Sequence, residues 1–194
     1  MLKFCNTIKP LYWKYSFLSL NLIFSSPLLS GEVFESHVSY KKGIYHASLE
    51  MQIKAPVKKV YALLTDFDYL SRLSDNIIDS DLIDDDPPEY IVEVKTHNCV
   101  LFFCKNLKQR QAVLEFDDGY ISVEDIKGES DFVFANTLWH IRASKGETRV
   151  SFRTEMKPDF WLPPLLGPWL FKNKLVENTQ MMIERLEQLA TDDK

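Results

Sequence analysis

The sequence has little of what marks several common classes of protein. Its 194 residues include only six glycines and nine prolines, which argues against a disordered or low-complexity chain. It contains no glycine-rich phosphate loop, no nucleophile elbow and no zinc-binding helix motif. No internal repeat is present. What remains is an ordinary globular composition in a chain long enough for one domain with a sizeable core.

Acidic residues are missing from the first thirty positions. Three lysines precede a mostly apolar stretch over 15–29, and small residues follow at Ser30 and Gly31. This is the pattern of a secretory signal peptide, and the stretch is shorter than the roughly 20 apolar residues of a spanning helix. We therefore predict that residues 1–30 are a signal peptide and that the protein is exported, to a periplasm. The alternatives are an uncleaved N-terminal segment that anchors the protein in a membrane and a buried N-terminal helix.

The charge balance excludes one class of partner. The chain has 23 basic and 28 acidic residues and a net charge of −5, and it becomes more acidic when residues 1–30 and their three lysines are removed. An acidic body repels phosphate backbones, so we expect no nucleic-acid partner. The same charge provides no attraction to anionic lipids, although transient contact with a membrane remains compatible with it.

Cysteine is scarce, and only two of three cysteines lie beyond the predicted signal peptide. Cys99 and Cys104 form a candidate disulfide if the compartment is oxidising. A continuous extended strand would hold their Cα atoms about 16 Å apart, too far for a bond. The bridge therefore requires a turn or bulge within residues 100–103. Otherwise the two cysteines are small apolar core residues.

Metal-binding patterns are weak. His97 and Cys99 share a strand face and, with Cys104, suggest a soft metal site, but the spacing matches no common zinc pattern. The acidic run 79–86 lacks the glycine and the final glutamate of a calcium loop, so a solvated strand edge explains it better. We expect no metal and no cofactor, apart from a bound lipid or quinone.

The hydrophobic periodicity predicts a strand, two short helices, a meander of strands and a final helix. His46–Ala55 alternates as a half-buried strand, Pro56 ends it, and a helix over 57–65 follows. Asp68 is placed to cap the second short helix. Further strands are expected over 77–86, 89–103, 107–116, 120–126, 132–143 and 147–156, with turns that include Lys105-Asn106 and Asp117-Asp118-Gly119. Helical spacing over 169–190 predicts a helix about 30 Å long.

Three segments carry a resemblance to a known family. They are IKAPVKKVYALLTDF at 53–67, Phe132 with Trp139, and GETRV at 146–150. In this order they resemble the START-like (SRPBCC) superfamily, and most closely its polyketide cyclase/dehydrase and coenzyme Q-binding group. The resemblance covers about 44–190, and we take 44–191 as the ligand-binding domain with 31–43 as a lead-in. It implies an α+β helix-grip fold, in which a curved antiparallel sheet of about seven strands wraps around the C-terminal helix.

The resemblance also implies a ligand between the sheet and that helix. Aromatic and methionine residues on the predicted strands and helix are candidates for the cavity wall, and core packing is their alternative role: Phe102, Phe103, Phe132, Phe134, Trp139 and Met182. A proline-rich apolar segment before the helix offers a gate or a membrane contact, or is simply a packed linker: Trp161, Leu165, Leu166 and Trp169.

The superfamily includes lipid carriers, quinone-binding proteins, cyclases and ribosome-directed toxins. We predict an exported binding protein for a hydrophobic small molecule, a lipid or a quinone. The alternatives are a cyclase or dehydratase that uses the same cavity and an interaction module with a filled core. We assign no catalytic residue, although an enzyme would draw its acid and base from Arg110, Glu93, Glu115 and His140. The sequence indicates no oligomeric state.

Overall fold

A computed structural model describes residues 31–100, 103–160 and 167–192. The predicted signal peptide, Phe102, Trp161, Leu165 and Leu166 lie outside the described residues. The elements follow one another along the chain as β1 (Glu32–Lys41), β2 (Ile44–Ile53), α1 (Val57–Leu64), a 3₁₀ helix (Phe67–Arg72), β3 (Ile77–Asp86), β4 (Glu89–Val100), β5 (Phe103–Glu115), β6 (Tyr120–Asp125), β7 (Phe132–Ser144), β8 (Glu147–Pro158) and α2 (Gly167–Asp192).

The eight strands form one antiparallel sheet in the order β1-β2-β8-β7-β6-β5-β4-β3. This confirms the expected α+β architecture with a meander and a long C-terminal helix. The additional strand is β1, within the lead-in, which pairs with β2 around a turn at Lys42 and Gly43. The hydrophobic pattern did not predict this strand, because all of its side chains are exposed or half-buried and its alternation is therefore weak. The acidic strand β3 is at an edge, as expected, where its carboxylates discourage further strand pairing.

Two local predictions are corrected. The turn expected at Lys105 and Asn106 does not exist, because both residues lie inside β5 and pair with β4. They are polar because this hairpin arm is exposed to solvent. Asp68 does not cap the 3₁₀ helix. Its carboxylate accepts a hydrogen bond from the Leu82 amide of β3 at 2.8 Å and so connects that helix to the sheet.

The core lies between the sheet and α2. Every second residue of β2 is buried, and the last three of these are Leu49, Met51 and Ile53. We call the face of the sheet that carries them the inner face. Ile183 and Leu186 of α2 are fully buried in the same cluster. Each such side chain contributes about 1.5–3 kcal/mol through burial. This packing is why the helical period of the sequence predicted the helix correctly.

Helix α2 runs along β1 and β2 and is held at both ends. Its first residue, Gly167, lies against the Tyr45 hydroxyl at the start of β2. Near the other end of the helix, the Glu187 carboxylate accepts hydrogen bonds from the backbone amides of Gly31 at 2.8 Å and Lys54 at 2.6 Å. Lys59 of α1 donates to the Ala190 carbonyl at 2.6 Å. The strands with which α2 has its main contacts are β1 and β2, and β4 to β7 lie farther along the sheet. In the described part of the chain, no helix is long and apolar enough to span a bilayer.

Candidate functional site

The strand register assembles an apolar row across the inner face. Ile121, Trp139, Phe152 and Leu49 are cross-strand neighbours on β6, β7, β8 and β2. Ile121 and Leu49 are buried, whereas Trp139 and Phe152 are only half-buried. The Trp139 and Phe152 rings pack together with centroids 4.7 Å apart. The row therefore presents aromatic surface that the described residues do not fully cover.

The next row combines apolar residues with threonine hydroxyls. Val113, Val123, Thr137 and Thr154 follow one another across β5 to β8. The hydroxyls of Thr137 and Thr154 are 2.8 Å apart, and Thr154 also donates to the Asn136 carbonyl at 3.1 Å. Because the two hydroxyls bond to each other, this row offers a mainly apolar surface to a ligand.

A polar cluster ends the inner face on β5 and β6. The Asp125 carboxylate accepts hydrogen bonds from Gln109 at 3.1 Å, Gln111 at 3.0 Å and Ser130 at 2.5 Å. Strand alternation puts Gln109, Gln111 and Asp125 on the same face as Val113 and Val123, and Ser130 reaches Asp125 from the loop after β6. No motif in the sequence marks this cluster; its one signal is that Asp125 follows Ile121 and Val123 at the position where a third apolar residue would continue the alternation.

At the other end of the inner face lies a cleft of about 710 Å³. The Tyr61 hydroxyl of α1 donates to a Glu115 carboxylate oxygen at 2.8 Å. Burial, reinforced by this hydrogen bond and the Glu115 charge, raises the pKa of Tyr61 far above its ordinary value. Burial and then the Glu115 charge also raise the pKa of Tyr90. Glu115 neighbours Ile121, so the pair stands at the end of the row that contains Trp139.

The predicted cavity residues do not all lie on the same face of the sheet. Trp139 lies on the inner face, and Met182 of α2 packs against the same core. Phe134 projects from the opposite face, because it lies five positions before Trp139 in a regularly paired part of β7 and side chains alternate between the two faces. Phe132 packs edge-on against Phe160, with ring centroids 5.8 Å apart. Phe103 begins β5.

The four acid–base candidates also lie on different faces of the sheet. Glu93 and Arg110 alternate with inward residues and face outward. Glu93 contacts Lys108 at 2.8 Å, and this lysine holds the pKa of Glu93 below its ordinary value. His140, also outward, stacks on Tyr120 with ring centroids 4.0 Å apart. Of the four, Glu115 alone borders the inner face. Its partner Tyr61 was not among the predicted site residues, because the helical spacing of α1 is typical of a core position there.

Two further predicted features lie at the periphery. Trp169, in the first turn of α2, is 63% exposed, while Phe171 packs on Tyr45 with centroids 5.4 Å apart. Cys99 and Cys104 are directly opposed across β4 and β5, with Cα atoms 4.0 Å apart, and are joined by a disulfide. The separation expected for one continuous strand does not apply, because the chain reverses between the two cysteines.

The family described as polyketide cyclase / dehydrase and lipid transport matches residues 53–183. A search of curated proteins found no significant match.

Solved structures are similar in fold. A START superfamily protein from Mycobacterium smegmatis has a TM-score of 0.62 at 13% identity, covering 74% of this chain and 98% of that one. A STAR-related lipid transfer protein fragment from Xanthomonas axonopodis has a TM-score of 0.59 at 16% identity, covering 80% and 98%. The Zhui aromatase/cyclase from Streptomyces sp. R1128 has a TM-score of 0.59 at 11% identity, covering 76% and 93%.

Proposed function

Because the chain belongs to the polyketide cyclase / dehydrase and lipid transport family, we propose that it is an exported carrier of a neutral hydrophobic molecule, a lipid or a quinone. The observation that carries this proposal is the half-buried aromatic pair Trp139 and Phe152 in the middle of an otherwise buried apolar row. Large aromatic rings that are only partly covered at the centre of an inner face offer binding surface to an apolar ligand.

The energetics of such a surface are sufficient for binding. A ligand that removes ~300 Å² of apolar surface from water gains about 7.5 kcal/mol at about 25 cal/mol per Å², before entropic costs. The affinity would therefore be modest and would depend on shape and burial. This suits a carrier, which must release its ligand as well as bind it.

The ends of the inner face favour a neutral ligand over an anionic one. Carboxylates stand at both ends, Asp125 at one and Glu115 at the other. Either would repel the head group of a fatty acid. The Gln109 and Gln111 amides beside Asp125 can hydrogen-bond to a carbonyl or hydroxyl group of a neutral head.

Export and membrane contact complete the proposal. The basic start and apolar stretch within residues 1–30 support export. The exposed Trp169 ring, next to the packed pair Tyr45 and Phe171, supports transient contact of the α2 start with lipid. Tryptophan is favoured at the boundary between water and lipid because its ring is apolar and its N–H is polar.

The test is native mass spectrometry with organic extraction on protein purified from the exported fraction. We expect a neutral lipid or quinone in near-stoichiometric amount with the wild type. Trp139→Ala should reduce that amount several-fold, because it removes the central aromatic wall. Phe134→Ala is the matched control, since it truncates an aromatic residue on the opposite face of the same strand. Ligand-free wild type, or equal loss in both variants, would overturn the carrier proposal.

The second candidate is a cyclase or dehydratase, favoured by the Tyr61–Glu115 pair beside Tyr90 at the end of the same row. The Glu115 carboxylate is the group that can accept a proton there. The Tyr61 hydroxyl, which donates to this carboxylate, holds it in position. Turnover of an aromatic polyketide-type substrate that Glu115→Gln abolishes while binding persists would support this candidate. Binding without turnover, unaffected by the substitution, would count against it.

A further inference from the structure

The β4–β5 hairpin brings together three side chains with soft donor atoms: His97, Cys99 and Cys104. Their donor atoms all lie within 4.8 Å of one another. Cys99 and Cys104 are opposed in register, and His97 is two residues before Cys99 on the same strand face. By alternation this is the outer face of the hairpin, so the cluster is separate from the inner-face site. His97 and Cys104 are exposed and open to a solute.

The histidine is already oriented as a ligand. Its Nδ1 lies 2.6 Å from the Asn106 side-chain oxygen, which can only accept a hydrogen bond, so Nδ1 carries the proton. In the neutral imidazole this places the lone pair on Nε2, which lies 3.3 Å from the Cys99 sulfur. Metal-bound histidines are typically held in this way, by an acceptor on the ring nitrogen that does not bind the metal.

The strand ladder, and not only the disulfide, holds the two sulfurs together. His97 pairs with Asn106 on one side of the cysteines, and Val100 pairs with Phe103 on the other. These backbone pairings are hydrogen bonds between the strands and do not require the sulfur–sulfur bond. Once that bond is broken, each thiol can turn about its χ1 angle to separate the sulfurs, while the donor atoms of all three residues stay close together.

We propose that reduction of the Cys99–Cys104 disulfide converts this hairpin tip into a binding site for a zinc-like, thiophilic cation, with the two thiolates and His97 Nε2 as ligands. A dithiol reductant supplies two electrons and two protons: the protein disulfide becomes two thiols and the reductant becomes a disulfide. The cation then displaces one proton from each thiol, and both protons pass to solvent. Two thiolates balance the charge of Zn²⁺, and a solvent molecule completes a tetrahedral shell.

The chemistry makes the two states mutually exclusive. In the disulfide each sulfur is bonded to its neighbour and offers no thiolate, so the oxidised hairpin lacks two of its three ligands. Thiolates together with imidazole favour Zn²⁺ or Cu⁺ over magnesium or calcium, which prefer oxygen ligands. Cation binding at this tip would thus report the redox state of the compartment.

The test is a Zn²⁺ titration of the full chain against a chromophoric chelator, in the oxidised form and after anaerobic dithiol reduction and desalting. We expect one Zn²⁺ per reduced chain, bound at least tenfold more tightly than by the oxidised chain. Co²⁺ in place of Zn²⁺ should show sulfur-to-metal charge-transfer absorption. Far-UV circular dichroism verifies that every form is folded.

Variants separate this site from adventitious thiol binding. His97→Ala should weaken binding by about 10–100-fold because it removes a ligand, and Asn106→Leu by about tenfold, because it releases the ring that Asn106 orients. His140→Ala, an outer-face histidine stacked on Tyr120, should leave binding unchanged. The proposal fails if the reduced wild type binds Zn²⁺ no more tightly than Cys99→Ser/Cys104→Ser, or if His97→Ala keeps full affinity.

Discussion

At the residue scale, the side chains that define the inner face are those whose partners come from distant parts of the chain. Tyr61 on α1 meets Glu115 on β5, and Trp139 on β7 meets Phe152 on β8. The sequence analysis proposed Trp139 as a cavity-wall candidate, and the strand register puts it on the inner face. The residue types alone did not indicate Phe134 as an outer-face residue, because the parity of a position matters only once its strand has a fixed pairing.

The hydrogen bond between Tyr61 and Glu115 leads to a prediction for the stability of the protein. Burial and the Glu115 hydrogen bond raise the pKa of Tyr61, so the neutral phenol is the form that stabilises the fold. Tyr61→Phe should lower the free energy of unfolding at pH 7–9 by about 0.5–1.5 kcal/mol, the net worth of a typical hydrogen bond. The difference should shrink above pH 10, because ionisation of the tyrosine in the unfolded chain then favours unfolding of the wild type.

Denaturant unfolding over this pH range measures the effect. Tyr69→Phe is the control, since Tyr69 is 58% exposed, and it should leave stability unchanged. A Tyr61→Phe difference that is absent at pH 7, or that grows as the pH rises above 10, would contradict the assigned role of the pair.

At the element scale, turns decide how strands are placed. Gly119 ends the Asp117-Asp118-Gly119 turn between β5 and β6 with φ +83°, a conformation that favours glycine. A Cβ atom there would lie 2.3 Å from the Ile141 carbonyl oxygen, in the backbone of β7. The sequence predicted this turn from its composition. The contact with β7 depends on strands that are distant in sequence.

Gly119→Ala should therefore destabilise the protein by about 1–3 kcal/mol through backbone strain, and more through the clash with β7. Gly128→Ala is the matched control. Gly128 has φ +84°, but a Cβ there would meet nothing within 4 Å, so this variant loses stability only through backbone strain. Denaturant midpoints compare the two. Equal losses in both variants would show that the close approach to Ile141 has no energetic consequence.

At the scale of the whole molecule, the fold places the exposed Trp169 at the start of α2, while the far end of that helix is held by Glu187 and Lys59. We predict that Trp161→Ala/Trp169→Ala slows transfer of a neutral fluorescent lipid between neutral vesicles several-fold, because it removes the aromatic contact with lipid. Phe116→Ala, which truncates an exposed aromatic residue elsewhere, is the control. Unchanged transfer by the double variant would falsify the gate and membrane-contact hypothesis.

Local periodicity in the sequence by itself determined most strands, the two short helices and the long α2, because these patterns need only near neighbours; the family resemblance came from the short segments at 53–67, 132–139 and 146–150. Periodicity did not reveal β1, whose alternation is weak, and it misread polar residues inside β5 as a turn. Only the tertiary structure decided which residues share the inner face with Trp139, that Asp125 joins Gln109 and Gln111, and that Cys99 opposes Cys104. Those relations depend on the register between strands, which the hydrogen-bonded ladder sets across long separations in the chain.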